Sequence, residues 1–184
     1  CFTGGFSGFF AAFEYSRSGS LQPGSAALLV HMGERTVWYA FYAGASLKVL
    51  GKFNTGMRDL RQHVASELGV EETLAQNILN GGSVDVGPIL EGVIGPVARQ
   101  LSLSRDFLER QYRARVNSFH LAGGPEAFPR WSESLGSVIG LNAQRWSPLE
   151  AITVEEGAFN EDLRGQEFRF VPAIGAALGA LEEA

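Results

Sequence analysis

The chain has 184 residues, of which 45% are hydrophobic and 19% are charged, and its formal net charge is −5. This length and composition suit one globular domain, or two small ones, with a sizeable core. The acidic balance and the lack of any run of Lys or Arg argue against a nucleic-acid-binding surface. No apolar segment is long enough to span a bilayer, so we expect no direct membrane span.

The N-terminal region is unusual in its first residue and in its phenylalanines. The sequence starts at Cys1 and not at Met, and five phenylalanines crowd its first 13 residues, so we expect a fragment or a processed chain. Four of those phenylalanines share one face of a helix predicted over residues 6–15. Cys1 is the only cysteine, which excludes an internal disulfide and fits a reducing compartment.

Three strand-like runs follow a loop rich in Ser and Gly. They cover residues 26–30, 36–43 and 46–53, and short turns separate them, which predicts an antiparallel meander. The middle run has bulky side chains on both faces, with Val37, Tyr39 and Phe41 on one and Trp38, Ala40 and Tyr42 on the other. We therefore expect that strand to be buried on both sides.

Helical patterns follow the meander. Apolar residues at four-residue intervals predict a helix over residues 57–68, and a second short helix follows over residues 71–79. A longer helix is predicted from Pro88 to about Arg115, and Gly95-Pro96 should kink or interrupt it. The remaining predicted elements are a strand over 116–121, a helix over 129–138, a strand over 141–146, a loop over 147–169 and a final helix from Pro172.

A glycine pair, Gly123-Gly124, follows the predicted strand over residues 116–121. Peptide N–H groups at such a turn, together with a helix N-terminus, can hold a phosphate or the edge of a nucleotide. Alternatively, the glycines only let the strand and the next helix pack closely. His120 is expected to be a core or edge histidine, because no second His or Cys stands at metal-ligand spacing.

The predicted order of elements is that of the α/β ribonuclease-H-like topology. Metal-dependent nucleases with this topology hold divalent ions with clustered carboxylates, whereas in actin-like proteins one such unit is half of a two-lobed ATP clamp. A nuclease needs a carboxylate after the first strand, where this chain has His31. An acidic chain is also poorly suited to hold nucleic acid. The actin-like alternative is therefore favoured.

Several segments, in order, resemble the PilM family of type IV pilus assembly proteins, which is itself similar to FtsA within the actin-like ATPase superfamily. Residues 28–36 are similar to the family's second phosphate motif, an apolar strand that ends in Asp-x-Gly. Residues 119–129 are similar to its adenosine motif, Leu-x-Gly-Gly followed by a helix. Residues 170–179 resemble its closing helix, whose small residues lie against the glycine-rich turn. The resemblance covers nearly the whole chain.

This resemblance implies the second lobe of a two-lobed protein. Residues 1–25 would form the inter-lobe helix and loop, and residues 26–184 the lobe, with residues 57–115 as a helical subdomain. The family resemblance further implies a cytoplasmic scaffold, peripheral at the inner membrane. Its partner would be a PilN-like membrane protein of the pilus or secretion inner-membrane complex, and a homo-oligomer is an open possibility.

The resemblance also implies at most half of a site for ATP with Mg²⁺. Gly123 and Gly124 would approach the adenosine, and Gly33, Arg35 and Thr36 would lie near the phosphates. Considered without the resemblance, Arg35 and Thr36 could have purely structural roles. Thr36 could equally be an ordinary strand residue, and Arg35 a solvated charge in a turn.

His31 departs from the family pattern. It stands where the family has the Asp that helps to hold magnesium, and a neutral imidazole is a poor magnesium ligand. Hydrolysis is therefore not expected, and no catalytic residue or metal ligand is assigned. Two alternatives remain: a GspL-like cytoplasmic component of type II secretion, which shares this degenerate fold, and a sugar or acetate kinase, which would need a catalytic acid that the sequence does not show.

Overall fold

A computed structural model gives the structure of the chain, and it describes residues 7–17, 21–81, 84–123, 128–147, 149, 155 and 170–182. In chain order the elements are α1 (Ser7–Arg17), β1 (Ser25–Met32), β2 (Val37–Ala43), β3 (Ser46–Phe53), α2 (Met57–Leu68), α3 (Glu72–Gly81), α4 (Gly87–Tyr112), β4 (Arg115–Gly123), α5 (Phe128–Ile139), β5 (Ala143–Arg145) and α6 (Val171–Glu182).

The five strands form one sheet in the order β3-β2-β1-β4-β5. Antiparallel pairing joins β1 to β2 and β2 to β3, so the predicted meander is confirmed. Parallel pairing joins β1 to β4 and β4 to β5. As a result, β1 and β4 lie side by side and end at the same edge of the sheet.

The sheet separates two apolar cores. Leu60 of α2 and Ile94 of α4 belong to the core on one face, and Phe9 and Phe13 of α1 belong to the core on the other. β2 contributes to both cores, because Val37, Tyr39 and Phe41 face the first while Ala40 and Tyr42 face the second. The prediction that this strand is buried on both sides is therefore confirmed.

α1 and α6 pack against each other over the second face of the sheet. Their contact is a close approach of backbone to backbone, because a Cβ atom on Gly175 of α6 would overlap the Gly8 carbonyl of α1. The glycine in α6 therefore sets the distance between these two helices.

The predicted interruption of α4 at Gly95-Pro96 is wrong, because the helix is continuous from Gly87 to Tyr112; a kink there stays a prediction. A proline inside a helix costs about 3 kcal/mol through its missing N–H and a steric clash. Here Ile94, Val97 and Leu101 are buried around it, and each buried aliphatic side chain contributes roughly 1.5–3 kcal/mol. Burial of the helix face offsets the cost of the proline.

β5 corrects a second expectation, because the strand covers only Ala143–Arg145 and not residues 141–146. Gly140 has a φ of 72°, and the N–H groups of Gly140 and Leu141 both donate to the Gly136 carbonyl, at 2.8 and 3.1 Å. Leu141 is thus part of the C-terminal cap of α5. Most of the loop predicted over residues 147–169 lies outside the described residues.

Candidate functional site

The turn between β1 and β2 contains three of the candidate residues, Gly33, Arg35 and Thr36. The N–H of Gly33 donates to the Thr36 carbonyl at 3.0 Å, and a Cβ on Gly33 would lie 2.8 Å from the same oxygen. A glycine therefore fits where a side chain would force the turn open. Arg35 is exposed at the tip of the turn, and Thr36 is half-buried.

Gly123, at the end of β4, lies directly beside this turn. Met32 of β1 and Gly123 are partners in the parallel pairing. Gly123 has a φ of 146°, and a Cβ there would lie 2.7 Å from the Met32 carbonyl oxygen. The structure thus brings Gly123 together with the turn that starts at Gly33, at the carboxyl edge of neighbouring parallel strands, where open α/β sheets bind ligands. Gly124 lies outside the described residues.

The N-terminus of α2 is hydrogen-bonded to the turn between β1 and β2. The N–H of Met57 donates to the Gly33 carbonyl at 3.1 Å, and the N–H of Arg58 donates to the Glu34 carbonyl at 2.9 Å. The N–H of Gly56 donates to Asp59 Oδ2 at 2.8 Å. Because these first donors of the helix are used within the protein, this N-terminus holds the turn in place and does not serve as an anion site.

Gly56 is a residue of the site that the sequence analysis missed. A Cβ on Gly56 would lie 2.6 Å from the Glu34 carbonyl carbon and 2.7 Å from the Arg35 nitrogen, so the backbones of the turn and the helix meet here. A salt bridge between Arg61 and Glu34 joins the same two elements. The available signal was a glycine immediately before a predicted helix, which can mark close backbone approach.

Comparison with known proteins identifies the fold. No protein-family model and no curated protein matches the sequence. Among solved structures, the chain is similar to the PilM–PilN type IV pilus biogenesis complex, with a TM-score of 0.70 and 18% identity over 94% of this chain and 50% of that chain. The fold is that of the actin-like ATPases. The predicted ribonuclease-H-like α/β class is therefore confirmed.

Two further actin-like structures support the same conclusion. The archaeal actin homologue Ta0583 in complex with ADP gives a TM-score of 0.61 and 18% identity over 97% of this chain and 56% of that chain. The ethanolamine utilization protein EutJ from Carboxydothermus hydrogenoformans gives a TM-score of 0.52 and 17% identity over 91% of this chain and 53% of that chain. This chain thus spans about half the length of these structures. In its described part, no helix has the length and apolar character needed to cross a membrane.

His31 lies one strand position before Met32, on the α1 face of the actin-like sheet. Its ring is 4.7 Å from the ring of Phe9, centroid to centroid. Burial lowers the pKa of His31 to about 4, so the imidazole is neutral at pH 7. Magnesium prefers hard oxygen ligands, and the residues described here contain no group of three or more His, Cys, Asp or Glu able to hold a metal. The described groups at this edge therefore do not fit magnesium.

His120 belongs to the core, as the sequence predicted. It is 4% exposed, and its ring centroid lies 5.3 Å from that of Phe13. Burial, and secondarily the charge of Arg17, lower the pKa of His120 to about 4. The histidines of β1 and β4 are therefore both uncharged near neutral pH.

Proposed function

We propose that this chain is the second lobe of a PilM-like scaffold for type IV pilus assembly, cytoplasmic and peripheral at the inner membrane. In this proposal the lobe contributes half of an adenine-nucleotide site and does not carry out magnesium-dependent hydrolysis. The observation that supports it most is the pairing of Met32 with Gly123, because it places the turn between β1 and β2 and the end of β4 at one edge of an actin-like sheet.

The proposed nucleotide half-site uses the groups at this edge. Gly123 and Gly124 approach the adenosine through the backbone, and Gly33, Arg35 and Thr36 lie near the phosphates. Arg35 supplies an exposed cation, and phosphate favours such a partner. The complex of Ta0583 with ADP, which has the same fold, supports a nucleotide as the ligand. Because this chain spans about half the length of that protein, the remaining contacts come from a second lobe.

The scaffold role is supported by two observations. The PilM–PilN complex is a solved structure with this fold over 94% of the chain, which favours a PilN-like membrane protein as the partner. Half-buried, neutral His31 occupies the position at which the resemblance expects a magnesium-binding Asp. In this protein, nucleotide would therefore act by biasing the opening and closing of two lobes, which is a shift of population and not a reaction.

Calorimetric titration of ATP, with and without magnesium, into the full-length protein tests the nucleotide proposal. We expect saturable binding that magnesium changes little and no turnover in either condition. Arg35→Gln should weaken binding about tenfold, equivalent to one lost charged contact, while Arg110→Gln on the exposed face of α4 serves as the matched control. Gly124→Val should abolish binding and leave the protein folded. No binding of ATP by the wild type would refute the half-site.

The same titration with His31→Asp tests the lost metal site. If the histidine is what excludes magnesium, the variant should gain magnesium-dependent binding, and turnover would show that the rest of the clamp is intact. A thermal unfolding curve of the variant controls for its fold, because a carboxylate beside Phe9 is costly to bury. Magnesium-dependent turnover by the wild type would contradict the proposal.

The scaffold role needs its own measurement. We expect the full-length protein to bind the cytoplasmic tail of its PilN-like membrane protein saturably in a fluorescence polarisation assay. Equal binding to a scrambled tail would exclude this role even if ATP binds.

A further inference from the structure

A second concave site lies at the opposite end of the sheet from the candidate nucleotide edge. Its volume is about 350 Å³, within the range of roughly 300–1,000 Å³ that is typical of small-molecule pockets. Ser25 and Asn117, near the amino-terminal ends of β1 and β4, line it. The carboxyl ends of the same two strands form the nucleotide edge, so the two sites are separate.

Two side chains of β4 that line this cavity have a buried polar atom that makes no hydrogen bond to the described residues. His120 Nδ1 and Ser118 Oγ are both buried, and neither makes a hydrogen bond within the described part of the chain. The two residues are two positions apart on one strand and therefore share the face that α1 covers. Buried polar groups without partners are uncommon and costly in native proteins, so they indicate something that the cavity receives.

The charge of the cavity indicates what kind of molecule it receives. Arg17 lines the cavity, and no Asp or Glu is among the described residues that line it. Arg17 and His120 both line the cavity, and after burial the charge of Arg17 is the second cause that lowers the pKa of His120. At neutral pH the cavity therefore combines one fixed cation with a neutral ring that can donate one hydrogen bond and accept another.

The remaining walls are apolar on one side and carry an amide on the other. Phe13 and Leu21 supply apolar surface, and Gln144 of β5 contributes the amide. A bare inorganic anion would leave the apolar surface uncovered. An organic molecule with one anionic group matches both parts of the wall.

We propose that this cavity binds a small organic carboxylate. The carboxylate lies beside Arg17, the apolar body packs against Phe13 and Leu21, and Ser118 and His120 gain the hydrogen-bond partners that they lack. The site is formed by α1, the residues that follow it, and the strands β1, β4 and β5, and it does not depend on the proposed nucleotide function.

Titration of benzoate into the full-length protein, followed by NMR of the His120 ring and by calorimetry, tests the proposal. Benzamide, which has the same ring without the charge, is the matched ligand. We expect saturable binding of benzoate that is at least about tenfold tighter than that of benzamide. Equal affinity for the two, or no saturable binding at millimolar concentrations, would overturn the proposal and leave ordered water as the occupant.

Two variants locate the binding. Arg17→Met should abolish benzoate binding and leave ATP titration unchanged, whereas Arg110→Met, an exposed charge on α4, should change neither. His120→Leu removes the buried ring nitrogens, so we expect it to raise the thermal midpoint of the free protein and to abolish benzoate binding. Retention of benzoate binding by both Arg17→Met and His120→Leu would refute the assignment to this cavity, whatever their stability.

Discussion

Met32 of β1 and Gly123 of β4 are direct partners in the sheet, and a Cβ atom on Gly123 would lie 2.7 Å from both the Cβ and the carbonyl oxygen of Met32. The glycine at the end of β4 is therefore required by the packing of two strands, before any ligand is considered. The same contact fixes the position of the turn that follows β1. Gly123 thus has a role in strand packing and a proposed role in nucleotide binding, and experiments must distinguish the two.

Gly123→Ala should destabilise the fold by about 3 kcal/mol, because the new methyl group meets the Met32 backbone and φ is positive. Gly44→Ala is the matched control, since Gly44 has a φ of 57° but open space where its Cβ would be. We expect it to cost only about 1 kcal/mol. Urea unfolding measures both free energies. Equal losses would mean that backbone conformation, and not contact with Met32, demands the glycine.

The turn between β1 and β2 should depend on backbone contact with α2 more than on the ion pair beside it. Gly56→Ala places a methyl group against the Glu34 carbonyl, and we expect a loss of roughly 2–3 kcal/mol. Glu34→Gln removes the charge from a side chain that is 58% exposed, and exposed pairs contribute less than about 1 kcal/mol. Chemical denaturation of both variants checks the order, and a larger loss for Glu34→Gln would reverse the explanation.

The prolines of α4 offer a matched pair. Pro88 occupies the first turn of the helix, where its missing N–H has no partner to lose, so Pro88→Ala should change stability little. Pro96 is exposed inside the helix, so Pro96→Ala should stabilise the fold by about 1–2 kcal/mol. This gain is smaller than the full helix penalty because proline also restricts the unfolded chain. If Pro96→Ala is neutral or destabilising, the helix is adapted to its proline.

Stability should fall as the pH is lowered from about 6.5 to about 4. The pKa of His31 and that of His120 are both lowered by burial from 6.5 to about 4. In that window the unfolded chain binds more protons than the folded one, so protonation favours unfolding. The stability that the two neutral histidines contribute to the fold is fully present above pH 6.5. Urea midpoints at pH 7 and pH 5 measure the slope. His31→Leu and His120→Leu should each reduce it, and an unchanged slope in both would contradict the burial argument.

Much of the fold could be predicted from the sequence, because local patterns determine it. Period-2 alternation in β2 predicted a strand between two cores, and four-residue spacing predicted α2 over the same residues that the structure shows. Two features depended on tertiary contacts instead. The packing of buried Ile94 and Leu101 keeps α4 continuous at Pro96. Leu141 donates its N–H to the Gly136 carbonyl at the end of α5, and it is therefore not part of β5.

The candidate site at the carboxyl ends of β1 and β4 was harder to predict from the sequence. Gly33 and Gly123 were chosen from motifs far apart in the chain, and parallel pairing of β1 with β4 is what makes them neighbours. The role of Gly56 and the cavity around Arg17 depend on approaches between distant elements. The periodicity of a single segment does not predict contacts between elements that are distant in the sequence.

The close packing of Gly175 against Gly8 also has a consequence for the order of folding. α1 is the first of the described elements in this sequence, and α6 is the last, so α1 leaves the ribosome before α6. Phe9 and Phe13 can join β1 and β2 early, but their outer cover arrives only when residues 171–182 have been synthesised. During that interval the nascent chain exposes an aromatic surface to solvent, which makes it a substrate for chaperones and prone to aggregation.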